Sequence, residues 1–214
     1  MSARPTLRIA VLGATGATGR QLVSQALDRG HTVVALARDP ARLDLPAAPG
    51  LAVVAADVRD PASVAEALAG ADAVVSGLGA AKKAPPGTLT AGATAVTAHP
   101  GGPLRVVWLG AYGSGTSAVR AGAPTRLLLR LALGAEELAD KARADALLLA
   151  AGATVLHAGP LTNGPLSPTR RAVPLSDVPR RLLPGTVSRA TVAAAMLDEA
   201  EDPRHAGSLA VPLG

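Results

Sequence analysis

Short apolar runs alternate with segments of helical period along most of the chain. Leu7 to Leu12 is a compact apolar run, the pattern of a strand buried on both faces, and Thr15 to Arg29 follows with helical spacing until Gly30 stops it. The same reading gives strands at Thr32–Ala37, Ala52–Ala56, Ala73–Ser76, Leu104–Leu109 and Thr154–His157. Between them it gives helices at Ser63–Ala69, Thr88–Ala98, Thr125–Leu133 and Glu136–Ala151. Ser63 reads as a helix cap with Glu66 three residues on, a capping box. Repeated strand–helix–strand units predict an α/β chain with a doubly wound parallel sheet and helices on both faces. The rhythm breaks after Gly159, where Pro160, Pro165, Pro168, Pro174, Pro179 and Pro184 punctuate the chain. This stretch predicts loops and short strands over the carboxyl edge of the sheet. A last helix at Ser188–Ala200 and a last strand at Ser208–Val211 follow.

Composition narrows the classes. A chain of 214 residues fits a single domain, residues 1–214, with about 160–187 as a loop-rich substrate-side segment. With 49% apolar and 17% charged residues, it has ample material for a core, which excludes disorder. Trp108 and Tyr112 are the only aromatic residues, too few to stack unpaired bases. There is no Cys, so disulfides, thiolate metal sites and a Cys nucleophile are excluded. The net charge of +5 comes almost entirely from Arg, scattered without a basic run. That suits a phosphate-bearing small ligand better than nucleic acid. The first residues lead straight into a strand-like run, so no signal peptide is expected. The charge-free stretches Ala84–Leu104 and Ala146–Thr169 are broken by Gly and Pro and predict no membrane helix. A soluble cytoplasmic protein with no membrane or nucleic-acid partner is the expectation.

The strongest chemical signal is Gly13-Ala14-Thr15-Gly16-Ala17-Thr18-Gly19, between the first strand and the first helix. The first glycine permits a tight turn, the second lets backbone approach a pyrophosphate, and the third lets helix pack on strand. The helix N-terminus then presents free N–H groups to the anion. At the end of the second strand, Arg38 precedes Asp39, where an acidic residue would accept the ribose hydroxyls of NAD. A guanidinium suits a 2′-phosphate, so NADP(H) is the expected cofactor. Arg20 is a weaker candidate for a second phosphate ligand. Asp57 and Val58 after the third strand would meet the adenine, and Gly77, Leu78 and Gly79 after the fourth would let ribose or pyrophosphate lie close.

With these residues in hand, the chain resembles the NAD(P)H-binding, NmrA-like branch of the atypical short-chain dehydrogenase/reductases. It looks most like the small flavin reductase and biliverdin reductase type B group. The glycine turn at 13–19, Arg38-Asp39-Pro40 and Asp57-Val58 are similar to that group's motifs. So are Lys141, Gly159-Pro160-Leu161-Thr162 and Val187-Ser188-Arg189. The resemblance implies a Rossmann-type fold with the cofactor across the carboxyl edge. It also implies that Leu109 and Gly110 at the fifth strand's end, with Pro160 and Leu161, lie beside the cofactor. Two departures stand out. Gly110 occupies the place where many relatives carry Ser or Thr, and the span Leu138–Lys141 holds no Tyr of a Tyr-x-x-x-Lys pair.

Without that relay, the candidate chemistry rests on fewer groups. Tyr112, just past the fifth strand, is the leading proton donor or substrate contact. His157, at the end of the sixth strand, is the only histidine at a predicted strand end on this edge. The resemblance puts Lys141 near the nicotinamide ribose. His31, His99 and His205 lie in turns or at helix ends and are expected to be solvated. No metal-ligand spacing occurs, and no Gly-x-Ser-x-Gly elbow. Gly113–Gly122 reads as a loop over the substrate, and the helix after it is apolar nearly all round, lining a pocket or a subunit contact. The first reading is an NADPH-dependent reductase of a small flavin, quinone or enone acceptor, monomeric or homodimeric. A non-redox NADP(H) sensor, and an isomerase or cyclase with a structural cofactor, are the alternatives.

Overall fold

A computed structural model of the chain describes residues 6–79, 84–101, 104–179 and 185–214. In chain order the elements are β1 (Arg8–Leu12), α1 (Ala17–Asp28), β2 (Thr32–Ala37), β3 (Leu51–Ala55) and α2 (Pro61–Ala67). Next come β4 (Ala73–Ser76), α3 (Thr88–Thr97), β5 (Arg105–Ala111), α4 (Ala123–Ala150) and β6 (Thr154–Ala158). The last are β7 (Leu161–Thr162), β8 (Arg171–Pro174), β9 (Val187–Ser188), α5 (Arg189–Glu201) and β10 (Leu209–Leu213). The eight-stranded sheet runs β3-β2-β1-β4-β5-β6-β10-β8, parallel except for β8, which pairs antiparallel with β10. Strand order reverses between β1 and β4, opening the crevice outside the carboxyl ends where ligands bind in such sheets.

Alternation along the central strands feeds two apolar layers. Ile9 and Val11 of β1 face one layer with Leu22 of α1 and Met196 and Leu197 of α5. Ala10 and Leu12 face the other, with Val64 of α2, Leu89 of α3, Trp108 of β5 and Leu148 of α4. Gly92 has a packing role inside α3: a Cβ there would lie 2.9 Å from Leu78 Cδ2 and 3.2 Å from the Trp108 ring. The glycine leaves room for both the indole and the Leu78 side chain behind the groove described below.

Several local expectations are corrected. The cap of α2 is Asp60, whose carboxylate accepts from the Ala62 and Ser63 amides, with Pro61 in the first turn. Pro61 sets the helical φ three residues earlier than the Ser63 capping box implied. Ser63 turns back instead, its hydroxyl accepting from the Asp57 amide at 3.2 Å. The two helices expected at 125–133 and 136–151 join in α4, broken at Gly134, whose φ of 81° and ψ of 164° are open only to glycine. His31 is buried, not solvated: Nδ1 accepts from the Leu7 amide at 3.2 Å and Nε2 lies 3.1 Å from Glu201. His205 is likewise held, with Nδ1 2.7 Å from the buried Glu199.

Candidate active site

The turn after β1 is shaped by what cannot fit there. Gly13 has a φ of 71°, and a Cβ on it would lie 2.9 Å from Leu78 Cα. At Gly19 a Cβ would be 2.1 Å from the Gly13 carbonyl oxygen and 2.7 Å from Ala14 Cα, so α1 packs directly on the turn. Gly16 differs. Only the Gly13 carbonyl oxygen, at 3.2 Å, would meet its Cβ, and the residue otherwise lines the groove. Gly16 caps α1 with no side-chain hydrogen bond, and no acidic residue sits in the first turn. The first N–H groups of α1 therefore lack an intrahelical acceptor and carry the positive end of the dipole. This cradle fits a pyrophosphate.

On one side the groove, about 270 Å³, runs to the ends of β2 and β3. Thr15, Arg38, Asp57, Val58, Gly77 and Gly79 line it, as the sequence motifs require. Asp39 does not line it. Its carboxylate accepts from the Ala41 amide at 3.2 Å and caps the 3₁₀ turn Pro40–Arg42. That turn returns Arg42 to the groove beside Arg38. Arg59 lines the same end and donates to the Pro86 carbonyl, while its amide donates to Asp57 Oδ1 at 2.9 Å. Among the described residues, three arginines and one carboxylate thus line this end. Arg42 and Arg59 went unremarked in the sequence, though Arg42 stands one helical turn after Arg38. Arg20 is not among the residues that line this groove; its guanidinium donates to the Thr15 carbonyl at 2.6 Å.

Gly16, Gly77, Leu78 and Gly79 also line a second stretch of about 450 Å³, so the groove continues along the sheet edge. Ala17 and Thr18 flank it, and Leu109, Gly110 and Leu161 reach it from β5 and β7. Lys141 enters from α4, its Nζ 3.7 Å from Glu137 one turn earlier. Arg189, at the start of α5, lines the same end and donates to Asn163 Oδ1 at 2.7 Å. Pro160 stands outside the lining, and its carbonyl accepts from the Val187 amide at 3.2 Å, pairing β7 with β9.

Behind this end lies a buried polar chain. His157 is fully buried, its Nε2 2.9 Å from Asp145 and its Nδ1 2.7 Å from Ser117 Oγ. Ser117 in turn accepts from the Gly113 amide at 2.8 Å. A Cβ on Gly110 would lie 2.4 Å from His157 Cδ2 and 3.3 Å from Asp145 Oδ1. The imidazole occupies the room a serine at 110 would need, which explains that departure. His157 is thus a wall residue and not a groove residue; it ties β6 to α4 and to the loop after β5.

Tyr112 is also separate from the groove. It is buried at 5% exposure among Ala121, Val178 and Val211, and lines a cavity of about 380 Å³ with Arg171, Thr186 and Val187. Gly159 borders both spaces. Of the three catalytic candidates, the structure brings only Lys141 into the groove.

Asp140, beside Lys141, is a buried carboxylate with a structural task. It accepts from the Leu89 and Thr90 amides at 2.9 and 3.1 Å, capping α3 from a neighbouring helix. Burial alone would raise its pKa. The Thr90 hydroxyl, the two amides and the charge of Arg143 outweigh that and hold it below the usual carboxylate value.

A glycine turn at the head of α1, a switch-point crevice and a continuous groove make a dinucleotide-binding arrangement, and the NAD(P)H-binding family model matches residues 13–203. The chain belongs to the NAD(P)H-binding family. Among curated proteins, photosystem II assembly factor Ycf39 of Synechocystis is 39% identical over 69 residues, 32% of this chain. The match spans only 21% of that longer protein. Anaerobilin reductase ChuY of Escherichia coli O157:H7 has the same fold, with a TM-score of 0.77 at 22% identity over 96% of both chains. A short-chain dehydrogenase/reductase of Veillonella parvula, solved with NADP, superposes with a TM-score of 0.76 at 16% identity. That alignment covers 98% of this chain and 95% of the other. These two neighbours establish the Rossmann-type fold expected for this NAD(P)H-binding protein.

Proposed function

We propose that the chain is an NADPH-dependent reductase that passes hydride to a small conjugated or apolar acceptor: a flavin, a quinone or an enone. The observation that carries the cofactor choice is the pairing of Arg38 with Arg42 in the groove while Asp39 is spent on a backbone cap. Two guanidiniums favour a 2′-phosphate through charge-assisted hydrogen bonds, and no carboxylate at this strand end competes for the ribose hydroxyls. When bound, the reduced nicotinamide supplies the hydride. The protein's share is placement. Gly16 and the first amides of α1 hold the pyrophosphate, Lys141 holds the far ribose, and Leu109, Leu133 and Leu161 keep water from the reacting face. Gly110 offers no hydroxyl, so the reading favours acceptors that complete their protonation from solvent. The cavity beside Tyr112, apolar at Val178, Val187 and Val211 and bordering the groove at Gly159, is the proposed acceptor pocket, with Tyr112 as its contact.

A second reading, a non-redox sensor of NADP(H), draws on the sealed His157 and the missing hydroxyl at Gly110. Calorimetric titration with NADPH, NADP⁺ and NADH, followed by NADPH oxidation assays with a free flavin and a short-chain quinone, separates the two. Both NADP forms binding well ahead of NADH, with acceptor-dependent oxidation, supports the reductase; binding without turnover of any acceptor supports the sensor. Arg38→Ala is expected to weaken NADPH by at least tenfold more than NADH. Equal weakening of both would remove the 2′-phosphate assignment.

A further inference from the structure

The first half of α4, residues 123–133, is apolar on the side that faces away from the protein. Thr125 is buried at 1% exposure, whereas Leu127, Leu128 and Leu131 are exposed at 59%, 54% and 76%. At 100° per residue these three leucines share one outward stripe. Val119, 68% exposed, stands on the 3₁₀ turn that leads into the helix. A cluster of this kind on a surface marks an interaction site, because single exposed leucines are ordinary but a contiguous stripe is not.

Charge identifies the partner. Arg126 and Arg130 flank the stripe one helical turn apart, and Arg120 stands between Val119 and the helix. Like charges at this spacing repel each other on an isolated helix. No acidic residue occurs in the sequence between Asp72 and Glu136, and among the described residues no ion pair neutralises these three arginines. A two-fold contact of this face with a second copy would bring four guanidiniums of the helices together with no carboxylate to offset them. An anionic surface removes that repulsion, and apolar side chains beside arginines are the arrangement of helices that lie in a lipid interface.

We propose that this half of α4, with Val119, docks the protein on anionic phospholipid. Leu127, Leu128 and Leu131 enter the acyl boundary, and Arg126 and Arg130 pair with lipid phosphates. No described helix is long and apolar enough to cross a membrane, and docking of this kind requires none. Gly134 breaks the helix between this half and the half that carries Lys141. The inference stands apart from the reductase reading, because none of these residues except Leu133, at the helix end, lines the groove.

Co-sedimentation of the full chain tests it, using vesicles of phosphatidylcholine alone and of phosphatidylcholine with one-third phosphatidylglycerol. The expected result is pelleting with the anionic vesicles only, weakened several-fold by raised salt. Leu127→Ser with Leu131→Ser, and separately Arg126→Glu with Arg130→Glu, are each expected to lower partitioning by about tenfold or more. Both pairs replace exposed residues, and unchanged thermal melting and NADPH titration will show that the fold and groove are intact. Absence of pelleting with the anionic vesicles, equal pelleting with both vesicle types, or pelleting untouched by either pair would overturn the proposal. So would a wild-type dimer in light scattering that the leucine pair dissociates without any vesicle binding, which assigns the face to a second copy.

Discussion

At residue 110 the absence of a single carbon decides what the site can contain. The His157 ring lies where a Cβ would stand, 2.4 Å from it, and the ring is held at both nitrogens by Asp145 and Ser117. Gly110→Ala is therefore expected to destabilise the fold by about 1–3 kcal/mol in urea denaturation, as overpacking does. Most of that cost should vanish in the background of His157→Ala, because the colliding ring is gone. Additive losses would show that the glycine serves something other than the imidazole. The glycine itself stood out in the sequence as a departure from the resembling family, but its reason did not. The compensating histidine is 47 positions away, and only the pairing of β5 with β6 brings Gly110 opposite His157. Arg38 shows the opposite case: its place at a strand end, legible in the chain alone, is where the groove lining has it.

Elements were legible where their signals are local. Strands β2 and β4 fall at the boundaries that apolar periodicity gives, and the glycine turn sits at the head of α1. Caps were less legible, because a cap can come from elsewhere in the chain. Helix α3 begins at Gly87 with no side-chain cap of its own, and Asp140 of α4 supplies it across the helix interface. Asp140→Asn leaves that task partly undone and is expected to cost about 1–3 kcal/mol near neutral pH. The pH dependence follows from the sign of the shift. The folded-state pKa lies below the ordinary 3.8, so the charged carboxylate's contribution is fully present above that value and is lost as pH falls through the folded value. The gap between wild type and Asp140→Asn in urea midpoint should therefore narrow in strong acid. A gap that stays constant with pH would assign the loss to packing.

At the scale of the whole molecule, the sheet order and its switch point put every groove-lining motif on one edge. That is why strand–helix alternation and one glycine turn carried so much of the architecture. The site's second arginine and the separation of Tyr112 from the groove depend on how loops return to that edge, which no local pattern records, whereas Arg189 stood in a motif already visible in the chain. Ligand occupancy of an edge shared by β1, β2, β4 and β5 should be felt by the entire fold. NADPH at a hundred times its dissociation constant is expected to add about 2.7 kcal/mol, raising the melting temperature by roughly 5–10 °C. A thermal scan with and without NADPH checks this, and no shift at saturating nucleotide would mean that the groove does not bind it.

The near-absence of aromatic residues gives the protein a built-in optical reporter. Trp108 is the only tryptophan, 1% exposed, and its ring meets Leu78 over Gly92 just behind the groove. All indole emission therefore comes from one buried position next to Leu78, which lines the groove. Its emission band overlaps the absorption of a reduced nicotinamide, so quenching by energy transfer can follow cofactor binding without a label. The single tyrosine, on the neighbouring cavity, provides a second and spectrally distinct signal for whatever enters there.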